Sequence, residues 1–255
     1  MGLTEIAKRT GLLKSDVHRI LKSLEQFGFV EQDMVSRRYD LGLELLKLGH
    51  LVHDRLRLCE TARPFMRRLT ETAEAACNLA VFDPVDEEVV FVEQIDSPLE
   101  VQIRWRIGRR ASPHATAVGK TLLAYLDPER ARKVCEKGGL KRKTRYTITD
   151  SLALEQELAR IREAGYAVDR EEAVLGACCV AAPLRDHRDQ VVAALSVSML
   201  AGRLGRSSER DIATLVKSAA AHISAALGRP GSAKSTAAVA VRRAQSRKRN
   251  ASPQA

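Results

Sequence analysis

The sequence lacks the features that would assign it to a membrane, secreted or metal-binding class. No run approaches the roughly eighteen apolar residues that a membrane-spanning helix needs. The N-terminus shows no signal-peptide pattern, since Lys8 and Arg9 interrupt a very short apolar stretch. The five cysteines are odd in number and include no CxxC pair. We therefore expect reduced thiols, a cytoplasmic protein, and neither a metal nor any other cofactor.

Acidic residues are missing from the C-terminal end, and this absence explains most of the net charge of +10. From Arg229 onward there are seven basic and no acidic residues, so +3 remains for the first 228 residues. Residues 1–48 carry eight basic and seven acidic side chains, a net charge of only +1. Bulk charge therefore does not predict DNA binding. We expect residues 229–255 to form a disordered basic tail, either merely solvated or adding non-specific phosphate contacts.

The first forty residues have the pattern of a helix-turn-helix followed by a wing. One short helix carries its apolar residues on a single stripe: Leu3, Ile6 and Ala7. Gly11 then supplies the left-handed backbone that a tight turn between helices requires. A second helix is predicted from Lys14, with Ser15 as its N-cap. Residues 36–39 (Ser-Arg-Arg-Tyr) indicate the tip and return strand of a basic wing. For the two helices taken alone, a generic helical hairpin is the alternative.

The outer face of the second helix and the wing tip carry side chains that suit contact with DNA. We expect the cationic Lys14, Arg19 and Lys22 to hold phosphates. Asp16 and His18 are expected to approach base edges, where an aspartate can accept from a cytosine amino group. The full set of predicted DNA-binding residues is Lys14, Ser15, Asp16, His18, Arg19, Lys22, Arg37 and Arg38.

The remaining chain predicts a linker helix over residues 41–60 and then an α+β domain. Pro64 indicates the start of a further helix. From Cys77 the apolar pattern has the period of strands, which are predicted at 79–82, 89–92, 101–105, 178–184 and 191–198. Helices are predicted at 115–126, 128–137, 151–164 and 207–227. This order describes an antiparallel sheet with helices packed on it.

Three segments carry a resemblance to the IclR family of transcriptional regulators. Residues 3–21 are close to that family's recognition-helix signature. Residues 113–120 (Pro-His-Ala-Thr-Ala-Val-Gly-Lys) resemble the entry to its effector-domain helix, and residues 169–184 match its C-terminal signature. The resemblance extends to about residue 228. It implies a winged helix-turn-helix domain (1–40), the linker helix (41–60) and a GAF-like effector-binding domain (61–228), assembled as a homodimer or homotetramer.

The resemblance also implies a binding site for a small organic acid. Family members that bind glyoxylate or pyruvate use an aspartate, a cysteine and two serines, and the matching residues are Asp169, Cys179, Ser196 and Ser198. The two serines lie two apart on one predicted strand, so both hydroxyls face the same side. Backbone amides at the helix start formed by Ala117 and Val118 would favour an anion, and Val118 is larger than the family's usual residue. The structural alternative is that the serines face solvent and the cysteine is plain core.

One departure from the family concerns the DNA-binding domain. The family's domain normally begins with an additional helix, whereas Met1 and Gly2 stand directly at the second one. We expect the apolar faces of Ile6, Val17 and Leu21 to lose a covering layer. Either the start is misassigned or this is a truncated form, and we expect the chain as written to bind DNA poorly.

The sequence thus predicts a DNA-binding regulator, not an enzyme. Its expected partners are operator DNA, a small organic acid effector and a second copy of the chain, and its expected target is a catabolic operon. A small-molecule-binding module that has lost DNA binding is the first alternative. An enzyme that uses Cys178 or Cys179 with His187 is the second, although the sequence shows no group that would activate the thiol.

Overall fold

The computed structural model describes residues 1–48, 57–100, 103, 105–204 and 206–229. The chain divides into two compact units, Met1–Arg57 and the part from Leu58 onward. Among the described residues, no helix is both long and apolar enough to cross a lipid bilayer.

The first unit is a helix-turn-helix with a two-stranded wing, as predicted. Its elements in chain order are α1 (Leu3–Thr10), α2 (Lys14–Gln26), β1 (Val30–Gln32) and β2 (Tyr39–Leu41). Gly11 adopts the expected left-handed conformation, with φ of 71°, and its N–H closes α1 on the carbonyl of Ala7. A small core buries Ala7, Val17, Leu21 and Tyr39.

Two predictions about the first unit are wrong. The N-cap of α2 is Leu13, because the amides of Asp16 and Val17 both donate to the Leu13 carbonyl, at 3.0 Å, and Ser15 therefore lies inside the first turn. The expected loss of a covering layer does not expose Val17 or Leu21, which are 3% and 7% exposed, whereas Ile6 is only half-buried. Val17 and Leu21 contribute to the core that this unit builds with Ala7 and Tyr39.

The predicted linker helix lies partly outside the described residues. Residues 44–48 are helical, and residues 49–56 are not described. The next helix, α3 (Arg57–Ala73), contains Pro64 in its interior, so the prediction that Pro64 begins a helix is wrong. One apolar face continues across the proline, since Cys59, Ala62 and Met66 are all fully buried. That burial offsets the hydrogen bond that an interior proline removes.

The second unit contains a six-stranded antiparallel sheet. Its strands are β3 (Ala76–Asp83), β4 (Glu88–Ile95), β5 (Arg110–Ala111), β6 (Ala167–Arg170), β7 (Ala177–Arg185) and β8 (Val191–Leu200). Their spatial order is β5-β4-β3-β8-β7-β6. The four long strands were predicted, and the short β5 and β6 were missed. Of the strand predicted at 101–105, residues 101, 102 and 104 lie outside the described residues, and Ile103 and Trp105 belong to no strand.

Four further helices lie close to their predicted positions; the first and the last of them pack directly on this sheet, and the other two pack against the first. They are α4 (Ala117–Tyr125), α5 (Pro128–Gly138), α6 (Ser151–Ala164) and α7 (Arg206–Ala226). A short 3-10 turn, Pro113–Ala115, precedes α4. Apolar residues of α4 and α6 share one core cluster with the sheet residues Ala80, Cys179 and Ala181. The start of α4 therefore lies against the sheet face that carries Cys179.

Candidate functional site

The antiparallel register brings the four predicted effector-binding residues together. Asp169 on β6 pairs with Cys179 on β7, and Cys179 pairs with Ser198 on β8, so three side chains form a row across three strands. Ser196 lies two residues before Ser198 and on the same face of β8. All four residues are buried, and all four line one small cavity. The alternative that the serines face solvent is therefore wrong.

The start of α4 closes a second side of this cavity. Thr116 caps the helix, with its Oγ1 accepting from the Gly119 amide at 3.1 Å. A Cβ at Gly119 would lie 2.2 Å from the Pro113 carbonyl oxygen, so only glycine allows the helix to begin this close to the preceding turn. Ala117 and Val118 line the cavity. Their amides belong to the first helical turn, where no earlier helical carbonyl accepts them, and such amides favour an anion.

Two aromatic rings form a third side, which the sequence did not predict as part of a site. Phe91 and Trp105 stack with their ring centroids 5.5 Å apart and their planes 4° apart. The Arg109 guanidinium lies 4.2 Å from the Trp105 ring centroid. Trp105 is the only tryptophan of the chain, and this was the one feature of the sequence that could have marked it as a candidate site residue. The cavity is lined by Phe91, Trp105, Thr116, Ala117, Val118, Asp169, Cys179, Ser196 and Ser198, and its volume is about 10 Å³.

Ser198 is the centre of the hydrogen bonds around the cavity. Its Oγ accepts from Asn78 Nδ2 at 3.0 Å and from Trp105 Nε1 at 3.1 Å, and it lies 3.1 Å from Cys179 Sγ. A serine hydroxyl has two acceptor positions and one proton. Because both acceptor positions are used, the proton points to Cys179 Sγ. Burial raises the pKa of that thiol, so it stays neutral. Asn78 was not predicted, although it is a lone polar residue in an apolar strand.

Asp169 carries an unusual carboxyl group. Its Oδ1 accepts from the Glu172 amide at 2.6 Å and from the Ala173 amide at 3.4 Å. Burial, with a further contribution from the charge of Glu172, raises the pKa of Asp169 to about 7. This residue can therefore gain or lose a proton near neutral pH.

A buried lysine lies on α4, three residues after Ala117. Lys120 is 1% exposed. Its Nζ donates to Glu172 Oε1 at 2.6 Å, to the Val168 carbonyl at 2.7 Å and to Glu157 Oε1 at 3.2 Å. Lys120 thus ties α4 to β6 directly behind Asp169. The sequence motif contained this lysine, but its burial and partners could not be derived from the motif.

The first unit presents the predicted DNA-binding residues on its surface. On α2, Lys14, Ser15, His18, Arg19 and Lys22 are exposed and Asp16 is half-buried. The Arg19 guanidinium lies 3.4 Å from Asp16 Oδ1.

The wing tip is held by its own polar contacts. Asp33 Oδ1 accepts from the Ser36 amide at 2.7 Å and from the Ser36 hydroxyl at 2.6 Å, and these bonds lower the pKa of Asp33. Arg37 and Arg38 are both exposed, and Arg37 has a φ of 55°. The tip therefore presents two arginines next to each other.

The cysteine–histidine pair of the enzyme alternative is not brought together. His187 lies in the turn between β7 and β8, eight residues beyond Cys179, and strand rise separates them by on the order of 20 Å or more. Cys178 faces the opposite side of β7 from Cys179. In the parts of the chain that the structure describes, no three His, Cys, Asp or Glu side chains form a group that could hold a metal ion.

A helix-turn-helix with an exposed basic helix, together with a sheet domain that holds a buried polar cavity, defines a DNA-binding transcriptional regulator. Known domain models agree with both units. The IclR helix-turn-helix domain matches residues 1–34, and the bacterial transcriptional regulator IclR C-terminal domain matches residues 50–225. The chain belongs to the IclR family.

Individual relatives cover most of the chain. The HTH-type transcriptional regulator KdgR of Escherichia coli is 34% identical over 228 residues, which are 89% of this chain and 86% of that protein. A solved IclR transcriptional regulator from Alicyclobacillus acidocaldarius has a TM-score of 0.79 and 30% identity, covering 89% of this chain and 90% of its own. An IclR homologue from Microbacterium hydrocarbonoxydans complexed with 4-hydroxybenzoate has a TM-score of 0.77 and 28% identity, covering 89% and 91%. The named relatives are regulators, so this chain is a regulator and not an enzyme.

Proposed function

We propose that this regulator binds an operator and that a small organic acid in the polar cavity alters this binding, thereby controlling a catabolic operon. The observation that carries the proposal is the convergence of Asp169, Cys179, Ser196 and Ser198 with the start of α4 on one buried cavity. Apolar packing alone does not require a carboxyl, two hydroxyls and a helix start at one buried point. Binding of a polar ligand does explain it.

The chemistry of the cavity favours a carboxylate that carries a second oxygen function. The amides of Ala117 and Val118 and the Ser196 hydroxyl are donors suited to the carboxylate. Asp169 is an acceptor suited to a hydroxyl or to the hydrated carbonyl of an oxo acid. Glyoxylate and pyruvate are two small acids that fit this description, and we propose them as the first compounds to test.

On the DNA side, we propose that α2 enters the major groove. Lys14, Arg19 and Lys22 then bind phosphates, whereas Asp16 and His18 reach base edges and Ser15 contacts the backbone near the helix start. The contact between Arg19 and Asp16 orients the guanidinium before DNA arrives. Arg37 and Arg38 at the wing tip are placed for the adjacent backbone or minor groove.

We further propose that the working form is a homodimer or homotetramer acting on DNA in the cytoplasm. Large apolar side chains at the end of the wing and just after it are exposed, with Leu41, Leu43 and Leu46 at 82%, 77% and 64%. Exposed apolar groups so close together are suited to contact with a second copy. The proposed boundaries are 1–40 for the DNA-binding domain, 41–60 for the linker and 61–228 for the effector domain.

Fluorescence anisotropy with DNA from upstream of the regulator's own gene tests this function. The full chain is titrated at fixed salt with and without glyoxylate or pyruvate. We expect specific binding whose affinity changes at least several-fold with one of the acids. Arg19→Ala should weaken DNA binding, whereas Arg132→Ala, on the exposed face of α5, serves as the matched control. A DNA affinity that neither glyoxylate nor pyruvate changes would contradict control by these acids. Absence of specific DNA binding would contradict the proposed DNA contacts.

A further inference from the structure

We infer that Trp105 determines which acids enter the polar cavity, excluding aryl acids with its ring and donating its indole N–H to the carboxylate of a small aliphatic acid. This inference rests on the proposed function and deepens it. It concerns a residue outside the aspartate, cysteine and serine set that the family resemblance implied.

The cavity is smaller than any organic acid. A cavity of about 10 Å³ holds about one water molecule, so every organic acid must displace part of the wall. Asp169, Cys179, Ser196 and Ser198 stand on paired strands, and Ala117 and Val118 stand in a capped helix. Trp105 belongs to no helix or strand. Its backbone can therefore shift, and carry the indole with it, without breaking the hydrogen bonds of a helix or a sheet.

The hydrogen bonds around Ser198 can rearrange to bind a carboxylate. Ser198 Oγ is saturated, because it accepts from Asn78 and Trp105 and donates to Cys179. A carboxylate that accepts from both the Trp105 N–H and the Ser198 O–H leaves one acceptor position of Ser198 vacant. The Cys179 thiol then turns its proton to that position. Every donor in this set keeps an acceptor. The Trp105 N–H can therefore change its acceptor from Ser198 Oγ to the ligand carboxylate with little loss of hydrogen-bond free energy.

The indole of Trp105 fills the space that an aryl acid would need. The indole of Trp105 occupies the surface of the Phe91 ring, to which it is parallel. Replacing the indole with a methyl group vacates on the order of 100–150 Å³, a space that can hold a benzene ring. An aryl acid would then stack on Phe91 where the indole had been. The native chain should therefore not bind 4-hydroxybenzoate, the acid bound by one solved relative. The Trp105→Ala variant should bind it.

Three full-length proteins test the inference: the native chain, Trp105→Phe and Trp105→Ala. Isothermal titration with glyoxylate, pyruvate and 4-hydroxybenzoate gives the affinities, and thermal melts verify that each variant is folded. Trp105→Phe keeps a ring but lacks the donor, so it should weaken binding of the small acids by about tenfold or more, as loss of a hydrogen bond to a charged group does. Trp105→Ala should bind 4-hydroxybenzoate at least tenfold more tightly than the native chain.

Phe82→Leu is the matched control, because Phe82 packs at the edge of the same core but does not line the cavity. It should leave all three affinities as they are in the native chain. The inference is overturned when folded Trp105→Ala gains no affinity for 4-hydroxybenzoate, or when Trp105→Phe binds the small acids as tightly as the native chain. DNA anisotropy separates this result from the proposed function, since acid binding that follows these expectations without altering DNA affinity would refute effector control alone.

Discussion

Replacing Asp169 with asparagine should make the effector domain more stable, and increasingly so as the pH rises. Burial raises the pKa of Asp169 from 3.8 to about 7. Below about pH 4 the carboxyl is protonated in both the folded and the unfolded chain and changes nothing. Between about pH 4 and 7 the folded chain keeps a proton that the unfolded chain has lost, so stability falls as the pH rises. Above about pH 7 the folded domain carries the full cost of a buried charge.

The magnitude follows from the shift of about three units. At 1.36 kcal/mol per unit, the cost reaches about 4 kcal/mol at pH 8 and only about 2 kcal/mol at pH 5. Asparagine keeps an oxygen for the amides of Glu172 and Ala173 and does not titrate. Hydrogen bonds of the new amide group are the same at both pH values. The gain from Asp169→Asn should therefore be about 2–3 kcal/mol larger at pH 8 than at pH 5.

Urea unfolding followed by tryptophan fluorescence is the appropriate assay. Trp105 is the only tryptophan and lies beside the cavity, so the signal reports on the effector domain alone. Asp211→Asn, at an exposed position of α7, is the matched control and should give the same change in stability at both pH values. An equal effect of Asp169→Asn at pH 5 and pH 8 would refute the reasoning, because it would show that Asp169 has an ordinary pKa in the folded domain.

Three further substitutions test other parts of the molecule. Arg19→Ala should weaken DNA binding on every sequence and lower the slope of log affinity against log salt by about one, as measured by anisotropy at several salt concentrations; an unchanged slope would exclude a phosphate contact. Lys120→Met should destabilise the effector domain by about 3–5 kcal/mol in urea unfolding at pH 7, because Glu172 loses its buried cation; a loss below 1 kcal/mol would argue against the pair. Gly119→Ala should lower the melting temperature by several degrees, because its Cβ would lie 2.2 Å from the Pro113 carbonyl oxygen; an unchanged melt would show that the turn can shift.

The sequence predicted the parts of the fold that local periodicity determines. The alternation in β8 correctly placed Ser196 and Ser198 on one face, and Gly11 correctly marked the turn between α1 and α2. The short β6 was missed because four residues offer too little periodicity to recognise. It nevertheless holds Asp169, whose place beside Cys179 depends on strand order and register. Neither property is encoded locally.

The same limit explains the site residues that were missed. Trp105, Asn78 and Lys120 become informative only through partners far along the chain, at separations of 93, 120 and 48 to 52 residues. The misjudged Pro64 is the opposite case. Proline is unfavourable inside a helix, which is why Pro64 was predicted to begin one, but the buried face of α3 outweighs this local preference.

The contacts also divide the cavity into a fixed part and an adjustable part. Lys120 joins the helix that supplies the Ala117 and Val118 amides to β6, which supplies Asp169, so the donor side and the acceptor side are held at a constant distance. Trp105 lies outside every helix and strand, and its indole contacts the Phe91 ring, the Arg109 guanidinium and the Ser198 hydroxyl. We therefore expect a ligand to displace the Trp105 ring more easily than the side chains of Asp169, Cys179, Ser196 and Ser198, which stand on paired strands. Because the exposed Arg109 rests on the same indole, a ligand that displaced Trp105 would also move a charged group at the surface of the domain.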